Sequence, residues 1–430
     1  MTEFVWGGWD DSVRDDPFPT FAKARSRCPV QQVRLPDGHD AWVVLGHDAA
    51  RVALSDDRLS KNMVAALEQD PEVVAEGLPG PEFAHHMLAM DAPDHGRLRS
   101  LLTEAFRPSR VAAMRPAIER LAEELLDRMA AVGPSAVVDL RAGLAHSLPF
   151  AVICELLGVD DDRRRTLQDA FGTLLRPWPW PPPPEAAAAS DIVTGTLRDL
   201  VADARADPDG DLVAVLVDAV HRGEATEREA LSSLFQLVVA GHDTTSSLIG
   251  NGVVALLDHP DQLAALQREP HLLPGAIEEL LRFTAAVPHA TFRVTTEPVE
   301  LAGVTVPAGQ QVLVGLGAAN RDPSRFVDPD RLDVTRRPRR HLAFGHGAHH
   351  CLGAPLARLE AEVAFRRLLD RFPDLRLAVS RDELAWSHGD GLVLRGLAEL
   401  PVVLGPDRGR RSHNQTTHPK EQHNDNHHQH

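Results

Sequence analysis

Phe344-Gly345-His346-Gly347-Ala348-His349-His350-Cys351-Leu352-Gly353 is the stretch whose reading decides the fold. One cysteine sits in a glycine-rich loop, and a helix-like segment, Ala354 to Phe372, follows directly. A cysteine at the start of a helix lies near the positive end of the backbone dipole, which favours thiolate over thiol. Glycines at 345, 347 and 353 let the backbone turn tightly and approach something large and flat. A thiolate on a thin loop suits the fifth coordination position of haem iron, where its electron donation favours splitting of bound dioxygen. Two other readings of the loop stay open here. His346, His349, His350 and Cys351 are all zinc-ligand types, and a lone cysteine is usually a small buried hydrophobe.

The bulk of the chain narrows the class. Its 430 residues can bury a large core, and 43% hydrophobic with 25% charged residues is ordinary for a globular enzyme. Met1 to Thr20 is polar and acidic, so neither signal peptide nor membrane anchor is expected. No run approaches the ~18 apolar residues of a spanning helix, and a cytoplasmic protein is expected. A net charge of −17 argues against nucleic-acid binding. The three cysteines, Cys28, Cys154 and Cys351, are far apart with no CxxC pair, which disfavours disulfides and excludes an iron–sulfur cluster by count. Cys154, in the apolar run Phe150 to Leu157, reads as a packed core thiol.

Helical periodicity dominates. It predicts helices over Pro108–Ala131, Asp161–Leu175, Ala187–Arg205, Gly210–His221, Thr226–Leu257, Asp261–Gln267, Pro274–Phe283 and Ala354–Phe372. Trp42–Val52 and Val299–Val314, β-branched and punctuated by Gly or Pro, read as strands. The expected fold class is therefore mainly α with a small β part. Arg176–Pro184 reads RPWPWPPPP, an extended connector that excludes helix and offers Trp178 and Trp180 to a hydrophobic guest. One domain is expected over residues 1–405. A disordered His-rich tail is expected over 406–430.

Thr226-Glu227-Arg228-Glu229 is a capping-box start. From there the helical pattern runs for about 32 residues, or about 48 Å. Its middle reads Val239-Ala240-Gly241-His242-Asp243-Thr244-Thr245, polar residues interrupting an apolar helix. The Thr244 hydroxyl would bond back to the carbonyl of Ala240 and bend the helix, leaving room for a small ligand. Asp243 and Thr244 would then form an acid–alcohol pair able to relay protons. The competing reading is a polar stripe facing solvent, which the apolar flanks oppose.

Glu279 and Arg282 are three apart on one helix face and can pair. With Arg331, from Asp328-Pro329-Asp330-Arg331, they are expected to form a buried network. The segment Ala319-Asn320-Arg321-Asp322-Pro323 lies between. The two propionates of a haem need cationic or hydrogen-bonding partners. His95 and Arg99 share a helical face; Arg293 opens a strand region; His349 precedes the cysteine by two residues.

In combination these motifs resemble the cytochromes P-450, the haem-thiolate monooxygenases. The resemblance rests on F-G-x-G-x-H-x-C-x-G at 344–353, A-G-x-D-T-T at 240–245, E-L-L-R at 279–282, A-N-R-D-P at 319–323 and H-x-x-x-R at 95–99, and spans about residues 10 to 405. It looks closest to actinobacterial members acting on macrolides, other polyketides, terpenoids or secosteroids. The resemblance implies the P-450 fold, with a long central helix over haem b and Cys351 as axial iron ligand. It implies Asp243 and Thr244 as the proton-delivery pair. Ala240, Phe344, Gly345 and Gly353 would lie against the haem, and His95, Arg99, Arg293 and His349 would hold the propionates. Substrate contacts are expected from Val239, Ala286, Val287, Ala290, Met87 and Trp178, with Met63 to Met87 covering the entrance.

The implied reaction is oxygen insertion into a C–H bond of an apolar substrate, with dioxygen as co-substrate. The alternatives are oxidative coupling without oxygen insertion and a non-catalytic haem or ligand binder, against which a proton relay argues. No flavin or ferredoxin motif is present, so NAD(P)H electrons would arrive through a separate ferredoxin reductase and ferredoxin. Arg336, Arg337, Arg339 and Arg340, joined by Arg107, Arg110, Arg358, Arg366 and Arg367, would offer an acidic ferredoxin a basic patch. A monomer is expected.

Overall fold

The computed structural model describes residues 15–35, 38–62, 83–174, 183–206, 212–337, 340–387 and 393–409. Fourteen α-helices are present among them. α1 (Phe18–Arg27), α2 (His47–Ser55), α3 (Asp94–Thr103), α4 (Pro108–Ala113) and α5 (Arg115–Ala130) precede α6 (Ser147–Leu156), α7 (Asp161–Leu174), α8 (Pro184–Ala206) and α9 (Leu212–His221). Then come α10 (Glu227–Leu257), α11 (Pro260–Arg268), α12 (Leu273–Thr284), α13 (Leu316–Asn320) and α14 (Ala354–Arg371).

α10 is the spine. Its N-terminus carries the expected capping box: the Thr226 hydroxyl accepts the Glu229 N–H at 3.2 Å, and Glu229 Oε2 accepts the Thr226 N–H at 2.7 Å. It runs 31 residues unbroken and packs against α6, α12 and α14. One large apolar core joins these four helices, with Leu148, Phe150, Leu234, Val238, Leu280, Val363 and Phe365 buried within it. Cys154 is fully buried there, and burial pushes its thiol up to about 12.

A sheet of order β1-β2-β8-β5-β3 flanks the helices. It comprises β1 (Val30–Arg34), β2 (Asp40–Val44), β3 (Leu59–Ser60), β5 (Arg293–Thr295) and β8 (Gln311–Val314). β2 and β8 pair in parallel, Val43 opposite Leu313; its other pairs are antiparallel. β4 (Val137–Asp139) joins the C-terminal strands β9 (Arg376–Leu377) and β12 (Pro401–Val403), while β10 (Trp386–Ser387) pairs with β11 (Gly396–Leu397).

The structure differs from expectation in several elements. Trp42–Val52 is not one strand: β2 ends at Val44, Gly46 turns the chain, and α2 begins at His47. The α2 start is capped from afar, Asp322 Oδ2 accepting the His47 N–H at 2.8 Å. Pro108–Ala131 is two helices, because Pro116 restarts the chain after Met114. Pro184 opens α8 rather than ending the proline connector, as a proline is tolerated in a first turn. Val299–Val314 is three strands: β6 (Val299–Leu301) and β7 (Val304–Val306) form a hairpin before β8. The chain holds to the fold beyond residue 405, since Asp407 Oδ2 accepts Arg371 Nη2 at 2.6 Å. The expected His-rich tail lies almost wholly outside the described residues.

Candidate active site

The cysteine loop is held by its own backbone. Gly345 and Gly347 have φ of +71° and +75°, which side chains disfavour. A Cβ on Gly347 would also sit 2.6 Å from the Leu54 carbonyl oxygen. The Cys351 N–H donates to the Phe344 carbonyl at 2.9 Å, and Gly353 is the N-cap of α14. The backbone N–H groups of Gly353 and Ala354 point at the Cys351 sulfur. The sulfur is reachable from solvent yet closely surrounded, and the two facts act on different scales. Burial pushes the thiol up, and the Gly353 N–H, Arg99 and Arg358 oppose this without reversing it. The helix start acts toward thiolate, as expected, but burial outweighs it; a coordinated metal would tip the balance, since metal-bound thiols are deprotonated outright.

The zinc reading fails on geometry. Among the described residues, His346, His349, His350 and Cys351 do not bring three ligand atoms together, whereas His146, His242 and Asp243 do, within 4.8 Å. The motif reading missed this second cluster, because His146 comes from the turn before α6. The His146 and His242 rings meet edge to face with centroids 4.0 Å apart, and both His242 ring nitrogens are buried without a hydrogen-bond partner. Burial holds His242 near 4 and, with His242 and Arg141, holds His146 near 4, so both are neutral at pH 7.

In α10 the Thr244 hydroxyl donates to the Ala240 carbonyl at 2.8 Å, as the sequence suggests, without breaking the helix. Ala240 is exposed although Val238 and His242 beside it are buried. Burial raises the Asp243 carboxyl above its ordinary value; His146 and Arg141 pull the other way.

The candidate cations converge. The His95 and His349 rings lie 4.1 Å apart. Arg99 Nη2 donates to the His350 carbonyl at 2.8 Å, tying α3 to the cysteine loop. Arg293 is 5% exposed; its Nη1 and Nη2 reach the Leu59 and Leu54 carbonyls at 3.3 and 3.4 Å, while its Nε has no partner. Burial, then Lys61, His95, Arg293 and Arg99, holds His349 down to about 2. His95 Nε2 is also buried without a partner.

Behind this set stands the expected buried network, with one member exchanged. Arg282 Nε and Nη2 donate to Glu279 at 2.7 and 2.8 Å, and both side chains are 2% exposed. The third member is Arg336, whose Nε reaches Glu279 Oε1 at 3.0 Å. Arg331 contributes only its backbone carbonyl, to Arg282 and to Arg336, and its side chain is exposed. The chain turns at Asp328 (φ +45°), whose carbonyl accepts from Arg336 Nη2 at 3.1 Å. Asn320 Oδ1 accepts the Leu342 N–H at 2.6 Å, so the A-N-R-D-P segment holds the entry to the cysteine loop. Arg358 stacks on Phe344 at 4.5 Å and grips Glu278 at 2.6 and 2.9 Å.

The sequence matches the cytochrome P450 family over residues 24–383. The chain belongs to the cytochrome P450 family. It is 45% identical over 402 residues to cytochrome P450 107B1 of Saccharopolyspora erythraea, covering 92% of this chain and 97% of that one. It is 44% identical to the 6-deoxyerythronolide B hydroxylase of the same organism, over 92% of this chain and 97% of the other. Among solved structures it is similar to the tirandamycin C-bound P450 monooxygenase TamI, with TM-score 0.83, 39% identity, and 92% and 99% coverage. The fold is that of a P450, and the class is haem-thiolate monooxygenase.

A P450 works with haem, dioxygen and electrons from redox partners. The residues present fit a haem. Its carboxylates would find the buried, partnerless nitrogens of His95 and Arg293, and its iron would find a thiol reached by two backbone N–H groups. No helix of the P450 is long and apolar enough to cross a membrane among the described residues.

The expected substrate contacts are scattered in environment. Met87 and Ala286 are buried in the main core, Val239 packs at its edge, and Val287 and Ala290 pack under the sheet. Trp178 and most of 63–87 lie outside the described residues. A cavity of about 290 Å³ beside Phe365 and Leu369 and one of about 260 Å³ between Phe83, Leu197 and Leu231 include none of these contacts or Cys351. The basic patch is thinner than expected. Arg336 points inward, Arg107 pairs with Glu104, Arg358 with Glu278, and Arg366 and Arg367 with Glu362 and Glu119. Arg339 lies outside the described residues. Arg110, Arg337 and Arg340 are exposed.

Proposed function

We propose that this P450 hydroxylates or epoxidises a medium or large hydrophobic natural product of the macrolide or polyketide kind, as a cytoplasmic, monomeric enzyme. The observation that carries the chemistry is Cys351, presented on a glycine-shaped loop with two backbone N–H groups aimed at its sulfur. The relatives that support the substrate class include hydroxylases and epoxidases of macrolides and polyketides.

Bound haem b would supply dioxygen activation and oxygen insertion, with electrons from NAD(P)H through a ferredoxin reductase and a ferredoxin. Cys351 would hold the haem iron through its sulfur, and its backbone N–H donors would stabilise negative charge there. Phe344, Gly345 and Gly353 shape the loop so that its backbone approaches the macrocycle. His95, Arg99, Arg293 and His349 would take the propionates by charge-assisted hydrogen bonds. Asp243 would pass protons: burial raises its carboxyl above the ordinary value, the direction that favours a proton donor. Thr244, next to Asp243 in the chain, has its hydroxyl anchored on the Ala240 carbonyl one helical turn earlier. Val239, Ala286, Val287, Ala290, Met87 and Trp178 are proposed to bound the substrate.

Titration of a natural-product panel against the ferric protein tests this reading. Macrolide or polyketide lactones are expected to displace a sixth ligand and shift the haem to high spin. A panel in which only small polar compounds shift the spectrum would contradict it.

A further inference from the structure

The cationic cluster beside the cysteine loop has a member that no sequence motif contains. Lys61, just after β3, is one of only three lysines in the chain and is 6% exposed. Its Nζ donates to Thr291 Oγ1 at 2.5 Å, and its backbone N–H donates to Asp91 Oδ1 at 2.9 Å. Its charge acts on His349, His95 and His86, and Arg293 acts on it in turn.

The charges around Lys61 do not balance. Lys61, Arg293 and Arg99 are formal cations, and the imidazoles of His95, His349 and His86 stand among them. Among the described residues, Asp91 is the one carboxylate acting on Lys61, Arg293 and His95. Its oxygens are already taken by the Ser60 hydroxyl and the Lys61 N–H. Burying several like charges around one acid is unfavourable unless an anion joins them. A dicarboxylate is the ligand that restores balance.

Resting on the haem reading above, we infer that Lys61 is a further ligand for the haem carboxylates and that its charge raises the reduction potential of the iron. The ammonium suits the place. It is compact, and Thr291 takes one of its three donors, leaving two for an anion. Burial and then Arg293 lower Lys61 to about 7, and a neighbouring carboxylate acts in the opposite sense, so anion binding and Lys61 protonation reinforce each other.

The test uses full-length ferric holoenzyme: wild type, Lys61→Met, Lys61→Gln and Lys61→Arg. Two quantities are measured at neutral pH, the rate of haem transfer to excess apomyoglobin and the midpoint potential. Lys61→Met and Lys61→Gln are expected to lose haem about tenfold faster, the worth of one charged hydrogen bond, and to show a lower potential. Lys61→Arg is expected to restore both toward wild type, which a purely structural lysine would not do for the potential. Should Lys61→Met fail to fold, the Gln and Arg pair carries the comparison. Wild-type haem transfer and potential in both neutral variants would overturn the assignment of Lys61 while leaving the haem reading intact. A wild type that binds no haem would overturn the haem reading and this inference together.

Discussion

Arg336 Nε donates to Glu279 Oε1 at 3.0 Å, on the carboxylate that Arg282 grips from within the same helix. Arg336 also donates to the carbonyls of Val327, Asp328 and Arg331, so one side chain closes the loop before the cysteine onto α12. It is therefore a scaffold residue and not part of a docking face.

Glu279→Ala leaves Arg282 buried without its partner. A loss of about 3–5 kcal/mol is expected, the cost of breaking a buried charge pair. Arg336→Ala should cost less, since its side chain is 16% exposed, and Arg331→Ala should stay within about 0.5 kcal/mol. Denaturant titrations of the three variants check the order; equal losses at Arg331 and Arg336 would contradict the exchange of roles.

The basic face is expected to narrow to Arg110, Arg337 and Arg340. Arg340→Glu should slow reduction by an acidic ferredoxin, and more at low salt than at high salt. Stopped-flow reduction across ionic strengths measures this. A salt-independent rate would remove the patch from the account.

Asp243→Asn keeps the size of the side chain and removes its acid. Product formation should fall by about 10²–10⁴, the usual worth of general acid–base help, while reductant continues to be consumed. Thr244→Ala should likewise raise the share of reductant spent without product. Product per NAD(P)H, measured once a substrate is found, checks both. Full coupling in Asp243→Asn would contradict the relay.

Glu278 gives a pH signature. Burial acts to raise it, but hydrogen bonds from His341 and Arg358 win and hold it near 2. A carboxyl lower in the folded than in the unfolded state adds stability above its unfolded value, and that stability is lost as pH falls from about 4.5 toward about 2. Glu278→Gln should therefore be less stable than wild type at pH 6 and approach it near pH 2.5. Thermal melts across that range test the convergence.

Features carried by neighbours in sequence were legible before the structure. The capping box at Thr226, the Thr244–Ala240 bond and the Glu279–Arg282 pair each need only a few residues of one helix. Features set by distant partners were not. α2 hides in an apolar run because its cap, Asp322, comes from 275 residues away. α6 is apolar on every side, so no periodicity marks it. Arg336 takes the place expected of Arg331 because the carbonyls of Val327, Asp328 and Arg331, which only the folded loop assembles, receive it. Lys61 stands in no motif; Thr291, Asp91 and Arg293 meet it only once β3 pairs with β5.

The central claim is that Cys351 is the thiolate ligand of a haem. The carbon-monoxide difference spectrum of the dithionite-reduced protein tests it most directly. The wild type should show the strongly red-shifted Soret band of a thiolate-ligated haem carbonyl, and Cys351→His should lose that band while retaining haem. A wild type without the band, or a Cys351→His protein that keeps it, would contradict the account.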